Sequence, residues 1–411
     1  MADIREYRKL HNNLRMVKEG DNAVSREIID EGNKSARRHW RRKIAIIVAV
    51  VFVIILGIVL YNVIVEALGY SNGYSIGWSM GREEGSATRY VEYGSGFLKY
   101  SSDGITYYSR DMKSIWNYTY TMRNPKISIC EDKIAVADID GTTIMIYDQK
   151  GYVSSVDTAM VISQAEVTAA GLVVAVLGDA SANYITMFDT KGNRVYNIKT
   201  TLTGDGYPMD ISVTSDGTKL MASFLYVSGE SMKTNVVFYN FSEIGQNETE
   251  RLVGGFNHYE SAIVPEVAFL TDKKAIAIGE NILSIYSMGE YPKLAAEVNI
   301  PNHIEKVFYN SEYIGIVTAN DKGADSYLLT VYNSSGKKKF SVPFDTEYSA
   351  MKFDDRGVIM YNGNKLTITN MSGHTLYDGP LDMQIESVLT TGSRGRYILV
   401  SSKYIQRIQF N

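Results

Sequence analysis

The residues whose types could do chemistry are few and scattered. Cys130 is the single cysteine, so the chain builds no disulfide and no multi-cysteine zinc or iron–sulfur site. An oxidoreductase that holds its quinone cofactor with an adjacent cysteine pair is excluded on the same ground. In the strand-like run KISIC (126–130) the thiol reads as a buried strand residue. Beyond residue 90 the histidines are His258, His303 and His374, and none has a second ligand at metal-binding spacing. Asp138-Ile139-Asp140-Gly141 and Asp354-Asp355-Arg356-Gly357 suggest calcium, but neither supplies a D-x-D-x-D-G run with its distal Glu. Turn chemistry explains both.

Serine chemistry fares no better. Gly69 to Gly81 matches G-x-S-x-G three times over. A nucleophile elbow needs a strand-to-helix turn with His and acid partners, and three overlapping copies signal repetition instead. Ser215-Asp216-Gly217 lacks the spaced S-x-D-x-G-x-T-W turn of sialidases and reads as a hairpin turn. The N-x-S/T triplets at Asn117, Asn240, Asn247, Asn333 and Asn370 matter only in a eukaryotic secretory route. No P-loop or dinucleotide fingerprint is present. The residues therefore assign no catalytic, cofactor or metal position, and the expectation is a protein that is not an enzyme and carries no cofactor.

The elements around these residues are more informative. Net charge is −4 over 411 residues, which argues against a nucleic-acid partner, but the charge is uneven. Residues 1–43 hold 12 Lys+Arg and 7 Asp+Glu, a balance of +5, so the remainder carries 30 and 39, a balance of −9. The basic excess peaks at Arg37, Arg38, Arg41, Arg42 and Lys43. Ile44 to Val65 follows without a charge. As a helix that run spans roughly 33 Å, a bilayer core. It is too long for a secretory h-region, and EALGY after it offers no small-x-small cleavage site. The expectation is one uncleaved transmembrane helix over 44–65, its basic flank in the cytoplasm and the C-terminal domain outside the cell. The cytoplasmic arm (1–43) carries Ile4, Tyr7, Leu10, Leu14 and Val17 at helical spacing. It is either a marginal helix near the inner leaflet or a docking helix for a cytosolic partner of residues 1–36.

Beyond residue 88 the chain is a repeat. KIAVADIDGTTIMIYDQKGYVSSVDT (133–158), LVVAVLGDASANYITMFDTKGNRVYNIKT (172–200) and GVIMYNGNKLTITNMSGHTLYDG (357–379) share strand, tight turn, strand, x-x-Gly turn, strand. Each follows another short strand, so the unit is four strands in about 40 residues, the period of a propeller blade. Inner strands fall near 126, 166, 210, 266, 305, 350 and 386, with a further unit over 89–120. The predicted fold is all-β: a β-propeller of about eight four-stranded blades (seven as the alternative) over 89–411. The last unit stops after three strands, leaving an unpaired edge. The juxtamembrane segment (66–88) offers the missing strand. It places Tyr74, Ile76, Trp78 and Met80 on one face and Ser75, Gly77 and Ser79 on the other.

Blade four is enlarged at 225–237 and 242–266. Repeat proteins often place such insertions on a binding face. The alternatives are a plain surface loop or a partner site with contributions from Arg251, Phe256, His258 and Tyr259.

GYPMDISVTSDGTKLMAS (206–223), VVFYNFSEIGQNE (236–248), RLVGGF (251–256), NPKISIC (124–130) and FLKYSSDGITYYS (97–109) together resemble an uncharacterised bacterial family. Its members, mainly from Gram-positive anaerobes, have a short basic cytoplasmic arm, one membrane span and an extracellular propeller. Ser215 to Leu220 resembles the WD40-like turn of TolB-type propellers, and the x-D-G-x/Y-D-x-x-G pattern resembles quinoprotein blades. The resemblance implies fold and address and transfers no catalytic residue. The leading functional expectation is a membrane-anchored extracellular scaffold or recognition module whose partner is an envelope protein or wall polymer. Two alternatives stand beside it: a glycan- or phosphodiester-active enzyme with a composite site at the propeller mouth, and a transmembrane sensor.

Overall fold

A computed structural model describes residue 40 and residues 43–60, 69–70, 73–82, 87–179, 181–259, 262–321 and 323–410. Residues 1–68 and 69–411 form two units. In the first, Lys43–Leu60 is a helix of 18 residues, long and apolar enough to cross a membrane, and none of it is buried. A helix that exposes Ile, Val, Leu and Phe all round has no stable place in water. Of the basic flank, Lys43 opens this helix, while Arg37, Arg38, Arg41 and Arg42 lie outside the described residues, as do 61–65 of the expected span.

The second unit contains eight four-stranded antiparallel sheets. Blades one to seven each use four consecutive strands, within 89–119, 125–157, 161–200, 207–256, 266–299, 304–344 and 350–380. Blade eight takes Ser387–Thr390, Arg396–Val400 and Tyr404–Phe410, and its fourth strand is Tyr74–Gly81 from the other end of the repeat. The second and third strands read as apolar runs. Lys133–Asp138 and Val173–Gly178 are buried along nearly their whole length, because each sheet is covered on both faces by its neighbours.

Burial follows the seams. The apolar core divides into eight clusters, one between each pair of successive blades. The seam between blades eight and one is the thinnest. It holds Phe97, Leu389, Ile398, Val400 and Ile405, with Trp78, Tyr90, Tyr108 and Met112 at its margin. Polar contacts reinforce it. The side chain of Arg82, just past the closing strand, is fully buried. Its guanidinium donates to Glu386 and to the Ser401 carbonyl at 2.7 Å, and lies over the Tyr90 ring.

Strand direction defines two faces of the ring. In every blade the turns between strands one and two and between strands three and four share one face, here termed proximal. The turns between strands two and three, and the links between blades, share the distal face. Tyr74 pairs with Phe410 and Gly81 with Tyr404, so the chain reaches the ring on the proximal face. There the Tyr70 N–H donates to the Leu376 carbonyl at 2.7 Å, and its ring stacks on Phe410.

The closing strand departs from clean alternation. Its register slips between Ile76 and Trp78, leaving Gly77 as a bulge against which the Arg407 guanidinium lies. A bulge inserts one residue and reverses the faces beyond it. Tyr74 and Ile76 stand opposite Phe410 and Ile408, whereas Trp78 and Met80 stand opposite Arg407 and Ile405. The expected single face of Tyr74, Ile76, Trp78 and Met80 is therefore corrected. Tyr74 packs in the seam with blade seven and Trp78 in the seam with blade one, while Ile76 is 51% exposed.

Candidate functional site

The first strand of each blade lines the central channel. Its inner edge has no partner strand, so its N–H groups need other acceptors. Blades two to four supply them from the preceding inner strand. The Ser128 hydroxyl accepts the Val167 N–H at 3.1 Å. Glu166 accepts the Val213 N–H through Oε2 at 2.8 Å. Gln164 accepts from the Ile211 N–H and donates to the Met209 carbonyl. Asp210 accepts the Val267 N–H at 2.8 Å, and Ser212 the Phe269 N–H at 3.1 Å. Alternation along each strand aims Gln164 with Glu166, and Asp210 with Ser212, the same way.

These rungs surround a channel cavity of about 610 Å³ that opens on the proximal face, lined by Glu166, Ser212, Tyr309, Cys130, Glu131 and Asp272 among others. Burial raises the Glu166 carboxyl to about 8, with Asp210 adding to the rise. Asp210 is raised to about 7, chiefly by burial and further by Glu266. Burial also raises Glu266, against a hydrogen bond with the Tyr309 hydroxyl. Three carboxyls on three successive inner strands are thus all pushed toward the neutral form, chiefly by burial. At the rim, burial pushes the Cys130 thiol up, and Glu131, Asp272 and Glu166 add to it. Cys130 is half-buried beside the channel, and its thiolate is disfavoured.

The suspect turns are structural. Asp216 accepts from the Thr218 N–H and from the Thr214 hydroxyl, and Gly217 has φ +71°. Ser215 binds Asp272 of blade five through both its N–H and its hydroxyl. Asp138 accepts the N–H groups of Arg123 and Asn124. Asp354 accepts those of Arg356 and Gly357. Among the described residues no three His, Cys, Asp or Glu side chains are grouped to hold a metal ion.

The blade-four insertion forms two structures. Arg251, Phe256 and Tyr259 pack into the ring, while His258 stays exposed at its edge. Arg251 donates to the Phe241 and Ser242 carbonyls and lies over Tyr196 of blade three at 4.5 Å. Phe256 packs on Tyr286 at 4.7 Å. Tyr259 is 3% exposed, its hydroxyl against that of Tyr286, and its own ionisation is pushed up to about 12 by burial. His258 stacks on Tyr259 and meets Glu297 at 2.9 Å. These four do not present one free surface. The other part does: Lys219–Ser228 and Ser231–Asn240 form a hairpin with strands of ten residues, which juts from the distal face. Leu202, Tyr207, Val227 and Met232 are exposed there, and together with Leu225 and Tyr226 they line a groove of about 550 Å³.

Comparison with known proteins agrees with this architecture. Residues 69–410 match the Family of unknown function (DUF5711). The chain belongs to that family. No curated protein matches. Among solved structures, BamB from Moraxella catarrhalis is similar at 10% identity and a TM-score of 0.53, covering 82% of this chain and 100% of BamB. Chaetomium thermophilum Sqt1, solved bound to the N-terminus of the ribosomal protein L10, is similar at 9% identity and a TM-score of 0.50, covering 79% of this chain and 92% of Sqt1. At these identities the likeness is one of fold. It accords with an eight-bladed β-propeller preceded by one apolar helix.

Proposed function

We propose that the protein is a single-span, membrane-anchored recognition module of the cell envelope, non-enzymatic, with its propeller outside the cell and residues 1–43 in the cytoplasm. The observation that carries this reading is the exposed apolar groove that Leu202 and Tyr207, where the chain enters blade four, form with Val227 and Met232 of the long hairpin. Contiguous apolar surface rimmed by polar residues marks a protein-binding surface. It suits an envelope protein better than a hydrated wall polymer. A ring of this fold holding a peptide segment, as in the Sqt1 complex with the N-terminus of L10, is the geometry the reading requires. The apolar helix with its basic N-terminal flank supports the anchor and its direction.

The test is site-specific photo-crosslinking from position 227 in intact cells, with an externally added protease to establish which side the propeller occupies. One dominant crosslinked protein is expected, lost in the double variant Leu202→Asp, Met232→Asp while the propeller melts unchanged. Protection of the propeller in intact cells with degradation after lysis refutes the topology. Crosslinks that survive the double variant refute the groove.

The channel favours one second reading, an enzyme acting on glycans or phosphodiesters. Glu166 holds its proton near neutral pH beside Asp210 and Glu266, as a general acid must. Turnover of such a substrate, abolished in Glu166→Gln with the fold intact, would replace the first reading.

A further inference from the structure

The proximal face is electrically lopsided. Residues 69–411 carry 30 Lys+Arg and 38 Asp+Glu, a balance of −8. Yet where blades seven, eight and one meet on this face, Arg110, Lys113, Arg356 and Arg396 are exposed, with Arg394 and Arg407 half-buried behind them. Arg356, Arg394 and Arg396 line one cleft with the 390–393 turn, and Arg110 reaches the same place, its Nη2 against Gly392. Three carboxylates share the sector. Asp111 is taken by Arg407 at 3.0 Å. Asp354 is held by the Arg356 and Gly357 N–H groups and by the Tyr397 hydroxyl. Asp355 alone stays exposed among them without such a role. Six cations against three acids leave +3. The distal ends of blades six to eight lean the other way, with Asp321, Asp345, Glu347 and Asp382 exposed against Lys403.

The basic sector is also where the chain arrives from the apolar helix. Arg394 sits 5.9 Å over the Tyr70 ring, and Tyr70 is the second residue of the propeller unit. A scatter of surface charge has no reason to concentrate its cations at that point of an acidic ring. We propose that this sector of the proximal face is a binding surface for the phosphodiester headgroups of anionic phospholipids. The proposal rests on the anchored reading above. It adds that the ring itself contacts the bilayer surface, with arginine forks suited to phosphate oxygens. Long-range attraction between a basic surface and an anionic leaflet falls off within a Debye length, about 8 Å at physiological salt.

The test uses residues 69–411, which contain all eight sheets and all eight seams and form one compact unit. Without the apolar helix, any vesicle binding belongs to the ring. The propeller is sedimented with phosphatidylglycerol/phosphatidylcholine vesicles and with pure phosphatidylcholine vesicles, at 50 and 500 mM NaCl. The expected result is binding to the anionic vesicles at low salt, at least tenfold weaker at high salt and absent on neutral vesicles. Reversing Arg110, Arg356 and Arg396 to Glu weakens it at least tenfold with the melting temperature unchanged. Reversing Arg123, Lys199 and Lys403 on the distal face leaves it within twofold. The proposal is overturned by no binding at 50 mM salt, by equal binding to neutral vesicles, or by equal losses in the two triple variants. Binding of soluble polyphosphate as tight as that of vesicles at equal phosphate also overturns it, in favour of a wall polymer. Failure of the anchor itself appears separately, as release of the full-length chain from membranes by alkaline carbonate.

Discussion

Glu166 reports how the channel is built. Its carboxyl titrates near 8 in the folded ring, against an ordinary value near 4.3 in the unfolded chain. Between those values the native state holds a proton that the unfolded state has lost. The group's contribution is therefore fully present below about 4.3 and is lost as pH rises through about 8, at about 1.4 kcal/mol per pH unit. Asp210, raised to about 7, acts with the same sign. Urea unfolding of the propeller should give a higher midpoint at pH 5.5 than at pH 8, and Glu166→Gln should flatten that difference. A midpoint that rises with pH over this range would show that the carboxyls are ionised in the native ring. The sequence displays Glu166 and Asp210 only as polar positions in AEVTA and MDISV. Their burial depends on inner strands about 45 residues away, as the Glu166 bond to Val213 illustrates, so no local pattern marks them. Arg82 is a similar case. It is legible as the first cation after the span, but its burial depends on Glu386 and Ser401. Arg82→Met should lower the unfolding free energy by about 2–3 kcal/mol, measured by chemical denaturation.

At the scale of elements, the closing strand is the sharpest test. Period-two alternation in YSIGWSM is enough to expect a strand at this point, and Tyr74–Gly81 is one. Alternation says nothing of the bulge at Gly77, which exists because the strand must match Arg407 and Ile408 of a partner more than 320 residues later. The bulge makes a specific prediction. Trp78→Asp removes an aromatic ring from the seam between blades eight and one and should cost about 2–3 kcal/mol. Ile76→Asp, on an exposed side chain, should cost less than about 1 kcal/mol. Equal losses from the two variants would mean that the strand runs straight through Gly77. The same contrast explains the blade-four insertion. Its length is plain in the sequence, but which half is core depends on partners outside it, Tyr196 for Arg251 and Tyr286 for Phe256 and Tyr259.

At the scale of the whole molecule, blade number was legible because each blade repeats the same turn chemistry and the same doubly buried second strand. Function was not, since an insertion's length and a polar strand position carry no partner's name. Deleting residues 69–82 should leave six seams intact and weaken the two that flank blade eight, which lose Tyr70 and Tyr74 on one side and Trp78 on the other. The expected outcome is a lower melting temperature with concentration-dependent association, checked by calorimetry and light scattering. The closing strand also sets a schedule for making the protein. Ser75 and Gln409 touch across 334 residues of chain. Synthesis at about 5–20 residues per second therefore separates their emergence by roughly 15–70 s. Through that interval the first strand is a free ribbon and the growing arc behind it has no mate for its last edge. Two nascent copies side by side can exchange these strands at no loss of contacts. Correct maturation then depends on spacing between neighbouring nascent chains, not only on the stability of the finished ring.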